Sequence, residues 1–212
     1  TIDENGAHNL YVSVPEYAIA FKPSNISFEE AAAAPMAGVT ALQGLRDKGK
    51  IKSGHKVLIY GASGGVGTFA VQIAKSFGAE VTGVCSTRNV EIVRSIGADH
   101  IIDYIKEDFA QHQERYDLVL GVNGSNSLSA YKRVLKQNGK FVHVGGSESQ
   151  LYQTLFLGPL ISMTGSKKMS SLLQRANQKD LNDVKELLES GKVKPIIDKR
   201  FKLSEITEAF KY

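Results

Sequence analysis

A doubly wound α/β fold, built on a parallel sheet of about six strands, is the fold class this sequence predicts, and three observations predict it. From Lys56 onward, strand-like and helix-like runs alternate. The strand-like runs are apolar throughout rather than at every second residue, the pattern of parallel strands covered on both faces. A turn carrying four glycines in seven residues, Gly61–Gly67, lies between the first of these strands and the helix that follows.

The elements follow in order. The first 26 residues hold two short β-type runs, LYVSV and YAIAF, parted by Pro15 and stopped by Pro23. Ser27 with Glu30 three residues on is a capping box, so a helix is expected from Phe28. Pro35 should close it, and a second helix should run to about Arg46. Strands are expected at 57–60 (VLIY), 80–85 (EVTGVC), 100–103 (HIID), 116–120 (YDLVL), 140–145 (KFVHVG) and 160–165 (LISMTG). Helices are expected between them at 65–77, 89–95, 106–112, 126–136 and 149–157, and a long helical pattern follows from Ser170 to Gly191.

Composition excludes several classes. The chain has 212 residues, 42% of them apolar and 23% charged, enough to bury a core without a metal or disulfide staple. The net charge of +4 comes from dispersed lysines; the densest cluster, RDKGKIKSGHK, is broken by glycines and has no interleaved aromatics, so no nucleic-acid partner is expected. The single cysteine, Cys85, excludes a disulfide framework and a cysteine-rich zinc site. No apolar run reaches the about 18 residues of a membrane span, so no membrane partner is expected and a reducing cytoplasm is the default. The chain opens without Met and stops within a helical pattern, as a piece of a longer protein would.

The glycine turn is the chemically informative stretch. In a dinucleotide fold the first strand ends in such a turn and the next helix starts beneath the pyrophosphate, where a side chain would hold the phosphate off the backbone N–H groups. Here Ala62 stands at the first position of the G-x-G-x-x-G pattern, with Gly61 one residue earlier; Gly64 serves phosphate approach and Gly67 serves helix–strand packing. Ser63, Gly64, Gly65 and Val66 form the expected pyrophosphate turn. The second strand speaks to the nucleotide. An NAD site ends that strand with an acid about 20 residues after the turn. Cys85 stands there, 21 residues after Gly64, followed by Ser86, Thr87 and Arg88. Two hydroxyls and a guanidinium suit a 2′-phosphate, so NADP(H) is expected; the alternative is that Arg88 merely solvates a helix start.

Other motifs carry less. Gly44–Lys50 matches G-x-x-x-x-G-K, but Ile51 follows where a P-loop needs Ser or Thr, and no strand precedes it. The five histidines have no Cys or His at ligand spacing. Cys85 is expected as a small buried apolar residue. No tyrosine has Lys at the fourth position after it, which removes the Y-x-x-x-K reductases.

Taken together, SFEEAAAAPMAGVTALQGL, GASGGVGTFAVQIAKSFGAEVTGVCSTRN, IGADHIIDY, YDLVL, GKFVHVGG and SGKVKPIIDKRFKLSEITEAF resemble the medium-chain dehydrogenase/reductase superfamily, and within it the zinc-independent quinone oxidoreductases. The resemblance covers nearly the whole chain. It implies a Rossmann domain over 27–212, preceded at 1–26 by the tail of a GroES-like substrate domain. It places Thr40 near the nicotinamide, Ser86 and Arg88 in the 2′-phosphate pocket and Tyr104 beside it. It places Asn123 by the adenosine ribose, and Gly145, Gly146 and Ser147 on the nicotinamide side. Zinc-dependent relatives carry a ligand Cys near the PMAG segment; this chain has Met36 and Ala37, so no metal is expected. The implied activity is NADPH-dependent hydride transfer to a quinone or an activated alkene, with no catalytic side chain assigned. The implied assembly is a homodimer through the apolar edge strand 160–165. The alternative is a non-catalytic NADP(H)-binding or redox-sensing module.

Overall fold

The computed structural model describes residues 13–124, 126–146 and 165–212, and between the last two ranges the positions 152, 154, 158 and 162. Its centre is a six-stranded sheet in the order β3-β2-β1-β4-β5-β6, every neighbouring pair parallel. The strands are β1 (Lys56–Tyr60), β2 (Glu80–Cys85), β3 (His100–Asp103), β4 (Tyr116–Gly124), β5 (Leu135–Gly146) and β6 (Lys168–Ser171). The helices are α1 (Phe28–Ala33), α2 (Pro35–Leu42), α3 (Gly65–Ser76), α4 (Val90–Ser95), α5 (Leu128–Val134), α6 (Gln178–Glu189) and α7 (Ile206–Lys211).

The continuous apolar strands have the reason expected of them. Val57 and Ile59 of β1, with Leu118 and Leu120 of β4, pack into one core with Val39, Phe69, Ile73, Val184 and Leu188 of α2, α3 and α6. Leu58 and Val119, pointing the other way, pack into a second core with Phe109, Tyr131 and Phe141. Alternate side chains thus enter opposite faces and both faces are dry. The capping box forms: Glu30 N–H donates to Ser27 Oγ at 3.2 Å and Ser27 N–H to Glu30 Oε2 at 2.7 Å.

Four expectations are corrected. The sixth strand is β6 at Lys168–Ser171, its Met169 beside Phe141. Of 160–165 only Ser162 and Gly165 lie among the described residues, and Ser162 is helical, as are Tyr152, Thr154 and Gly158. A short apolar run reads equally well as a buried strand or a buried helix, so periodicity could not separate them. The long helical pattern begins only at Gln178, where Asn177 Oδ1 accepts the Asp180 N–H at 2.8 Å; its first residues are spent on β6. The helix expected at 106–112 is a single turn, Phe109–Gln111, capped by Asp108. YAIAF forms no strand: Glu16–Ala18 is a 3-10 turn. The Gly44–Lys50 stretch is mostly helical, and a Cβ on Gly49 would lie 2.7 Å from Leu118 Cδ2, so its glycine serves packing.

Candidate functional site

The strand order reverses between β1 and β4, and a cleft of about 1000 Å³ opens there, over the C-terminal ends of β1, β2, β4 and β5 with α2 as one wall. Open α/β sheets bind ligands at such a switch point. Thr40, Ser63, Gly64, Gly65, Val66, Ser86, Arg88, Tyr104, Asn123, Gly145 and Gly146 all line it. Ser147 lies outside the described residues.

The glycine turn separates into two kinds of glycine. Gly61 has φ +82° and lies so close to β4 that a Cβ there would sit 2.0 Å from the Val122 carbonyl oxygen; a Cβ on Gly67 would sit 2.0 Å from the Gly61 oxygen. These two are demanded by the fold itself. Gly61, not the Ala62 position, makes the tight turn, and Ala62 is buried against the sheet with its N–H on Val84 O at 3.0 Å. Gly64 and Gly65 are different. A Cβ on Gly65 would meet nothing within 4 Å, and one on Gly64 only the Gly61 oxygen at 3.5 Å. The fold leaves room for side chains there, and that room faces the cleft. Gly64 caps α3 with no side-chain hydrogen bond, so the first-turn amides of this 12-residue helix are unpaired among the described residues, at the positive end of its dipole.

On the β2–β3 side the cleft is lined largely by polar and aromatic side chains. Ser86 follows β2, and Arg88 is exposed and makes no ion pair among the described residues. Cys85 is 1% exposed, and burial raises its thiol pKa, with the Asp103 charge adding to that. Asp103 stands directly beside Cys85 in the parallel register. It is not part of the cleft wall: its Oδ2 accepts the Thr87 hydroxyl at 2.5 Å, its Oδ1 the Ile105 N–H at 3.1 Å, and Lys106 Nζ approaches to 3.5 Å. The Thr87 bond above all holds its carboxyl below the ordinary range. The Thr87 hydroxyl, expected to be free for a phosphate, is therefore occupied. Tyr104 stacks on Tyr60, centroids 6.4 Å apart and planes at 22°.

On the β5–β6 side the cleft is lined by backbone, apolar groups and a few neutral polar side chains. Thr40 Oγ1 donates to the Met36 carbonyl at 2.6 Å, one turn back on α2. Asn123 is not in a loop but near the end of β4, at φ +56°, where the pairing with β5 shifts register between Val122 and Gly124. That is bulge geometry, which asparagine tolerates better than most residues. A Cβ on Gly145 would meet nothing within 4 Å. Sequence reasoning passed over Asn89, Tyr60, Leu172 and Gln174, which also line the cleft. Tyr60 alone had a local signal, as the last residue of β1. No group of three or more metal-ligating side chains comes together among the described residues. No helix among them is long and apolar enough to cross a membrane.

The sheet order, the switch-point cleft and the glycine turn define a doubly wound α/β protein of the nucleotide-binding architecture. Residues 96–212, over half of the chain, match the model of the zinc-binding dehydrogenase family. The chain belongs to that family, a part of the medium-chain dehydrogenase/reductase superfamily. It is 35% identical over 206 residues to a 2-methylene-furan-3-one reductase of Solanum lycopersicum, covering 95% of this chain and 48% of the relative. It is 36% identical over 217 residues to an NAD-dependent alcohol dehydrogenase of Saccharolobus solfataricus, covering 98% of this chain and 61% of that one. The quinone oxidoreductase structure from Coxiella burnetii superposes with a TM-score of 0.76 at 32% identity, over 90% of this chain and 58% of the other. The chain thus spans about half to three-fifths of the length of the proteins it matches.

Proposed function

We propose that this chain is the cofactor-binding part of an NADPH-dependent, zinc-independent reductase of quinones or activated alkenes. The observation that carries the reading is the pair Gly64 and Gly65: glycine where the fold leaves space, facing a cleft and beside unpaired helix amides. The pyrophosphate fits that turn. NADP(H) over NAD(H) is supported by Cys85 in the acid's place, by Asp103 held away by Thr87, and by the unpaired Arg88 guanidinium. The relatives' names include an exocyclic-alkene reductase and a quinone oxidoreductase, which supports the acceptor class; one named for NAD is the rival on the cofactor.

The bound nicotinamide would supply a hydride. The residues of this chain bind and orient. The α3 amides and Ser63 would hold the pyrophosphate, while Ser86 and Arg88 would hold the 2′-phosphate. The Tyr60–Tyr104 pair would offer a flat face beside it, and Asn123, which lines the same cleft, would take the ribose. Gly145 and Gly146 would leave room for the ring, Ser147, outside the described residues, is proposed for the same side, and Thr40, Met36 and Leu172 would help to exclude water. The only side chains with titratable groups among the described residues of this cleft are Tyr60, Cys85, Arg88 and Tyr104, none on the β5–β6 side, so we assign no proton donor to this chain. That same feature supports the second reading, a non-catalytic NADP(H)-binding module.

The domain division at 26/27, a cytoplasmic location and a homodimer belong to the same proposal. The edge expected at 160–165 is not retained, since Ser162 is helical and its Oγ accepts the Met169 N–H of β6 at 2.9 Å; the homodimer is proposed with no edge assigned. Light scattering at micromolar concentration tests it, a monomer refuting it. For the function, calorimetry of this chain with NADPH and NADH is the first test, NADPH binding more tightly. NADPH oxidation by the longer protein with 1,4-benzoquinone or an enal is the second. Binding without turnover on any such acceptor would leave the non-catalytic reading standing and the reductase reading refuted.

A further inference from the structure

Asn89 belongs to neither phosphate contact set, yet it touches both. Its Nδ2 donates to Ser63 Oγ at 2.9 Å, on the turn after β1, and to Ser86 Oγ at 3.3 Å, after β2. It stands at the N-cap of α4, where an asparagine oxygen ordinarily accepts a helix N–H, and it makes no such capping bond. The side chain is diverted from the helix into the cleft, which it lines together with both serines.

A serine hydroxyl has one proton to donate and lone pairs to accept with. An amide N–H placed on each oxygen occupies a lone pair and turns each O–H proton away from Asn89. The open direction at both serines is the cleft. One primary amide therefore presets two hydroxyls, on two different loops, as donors toward whatever fills it. Donors preset in this way, beside unpaired helix amides and an unpaired guanidinium, suit a ligand with two separate anionic groups.

We infer that Asn89 is a positioning residue that locks Ser63 and Ser86 as a coupled donor pair, one for the pyrophosphate and one for the 2′-phosphate of the same dinucleotide. The inference rests on the proposed NADP(H) reading and extends it to a residue that touches the phosphates only through others. It makes cofactor choice a property of the bridge as well as of Arg88. A carboxylate at this position would invert the polarity, accepting both hydroxyl protons and setting a negative charge between the two phosphates.

Calorimetry on this chain with NADPH, NADH and adenosine 2′,5′-bisphosphate tests it, on the wild type, Asn89→Ala, Asn89→Asp, Ser63→Ala and the Asn89→Ala/Ser63→Ala double variant. Asn89→Ala should weaken NADPH about tenfold, the size of a charge-assisted hydrogen bond, and Asn89→Asp about a hundredfold. Adenosine 2′,5′-bisphosphate, which lacks the full pyrophosphate, should lose less than NADPH. On the Ser63→Ala background Asn89→Ala should cost less than it does on the wild type, because one of the two hydroxyls through which Asn89 acts is already gone. Full additivity, or wild-type NADPH affinity in both Asn89 variants with unchanged melting temperature, overturns the inference while the cofactor reading stands. Failure of the wild type to bind NADPH overturns both. If Asn89→Asp does not fold, the Asn89→Ala cycle decides alone.

Discussion

The two sides of the cleft are built differently. On the β2–β3 side, strands of unbroken register carry side chains tied to one another: Thr87 to Asp103, Asn89 to Ser63 and Ser86, Tyr104 on Tyr60. On the β5–β6 side the register shifts, Asn123 and Gly146 take positive φ, and the walls are backbone, apolar groups and the neutral side chains of Thr40, Asn123 and Gln174. On the function proposed above, the difference divides selectivity from chemistry. Telling one nucleotide from another needs charged and hydroxyl groups held still. Bringing a hydride-donating ring to an acceptor needs close approach and dryness, which small residues and apolar walls supply without a titratable group.

Substitutions can break this comparison or sharpen it, beginning where both sides share the turn. Gly67→Val puts a Cβ 2.0 Å from the Gly61 oxygen, backbone against backbone, and should cost about 3 kcal/mol or more of stability, roughly 6–12 °C in Tm by thermal denaturation. Gly65→Val meets only open space, so Tm should hold while NADPH and NADH both weaken by about 1.5–3 kcal/mol, because on the proposed reading both nucleotides would use the helix amides. Loss of fold at Gly65, or of neither property at Gly67, would erase the distinction between packing and ligand glycines. Arg88→Ala should weaken NADPH by about 1.5–3 kcal/mol and leave NADH nearly unchanged, which separates the two sides by cofactor. Equal losses for the two nucleotides in calorimetry would place Arg88 outside the 2′-phosphate pocket.

A smaller effect is expected from acid. Asp103 on one side and Asp117, which accepts Lys136 Nζ at 2.8 Å beneath the other, both have carboxyl pKa values lowered in the fold. Their stabilisation is complete above the unfolded carboxylate range and is lost as pH falls through the folded values, so Tm should be flat near neutrality and decline below about pH 4. Asp103→Asn should remove part of that decline and free the Thr87 hydroxyl. An unaltered acid profile in this variant would mean that the Thr87 pairing adds nothing. Thr40→Val should change least: its hydroxyl donates within α2, so the loss should stay within about 1 kcal/mol in Tm-derived stability.

Much of this was legible in the chain. The strands β1 to β5 were found because each is an apolar run bounded by turn residues, and the capping box at Ser27 because its partners lie three residues apart. The glycine turn was legible as a pattern, though which residue makes its tight turn was not. The fold gives the tight turn to Gly61, whose φ and nearness to Val122 depend on β4, a strand about sixty residues further along. Asn89 gave no signal at all, since nothing local distinguishes a capping asparagine from a bridging one.

By itself, then, the sequence determined the fold class, the order of strands and helices through β5, and the cleft-lining residues that belong to the turn and to the end of β2. These follow from short-range periodicity and from glycine's freedom, which act over a few residues. Only the tertiary structure decided which apolar run became β6, that Asp103 is withdrawn by Thr87 across 16 residues, and that Asn89 joins Ser63 across 26. Those pairings depend on strand register, and register is set by how the two cores pack, a property no local window contains.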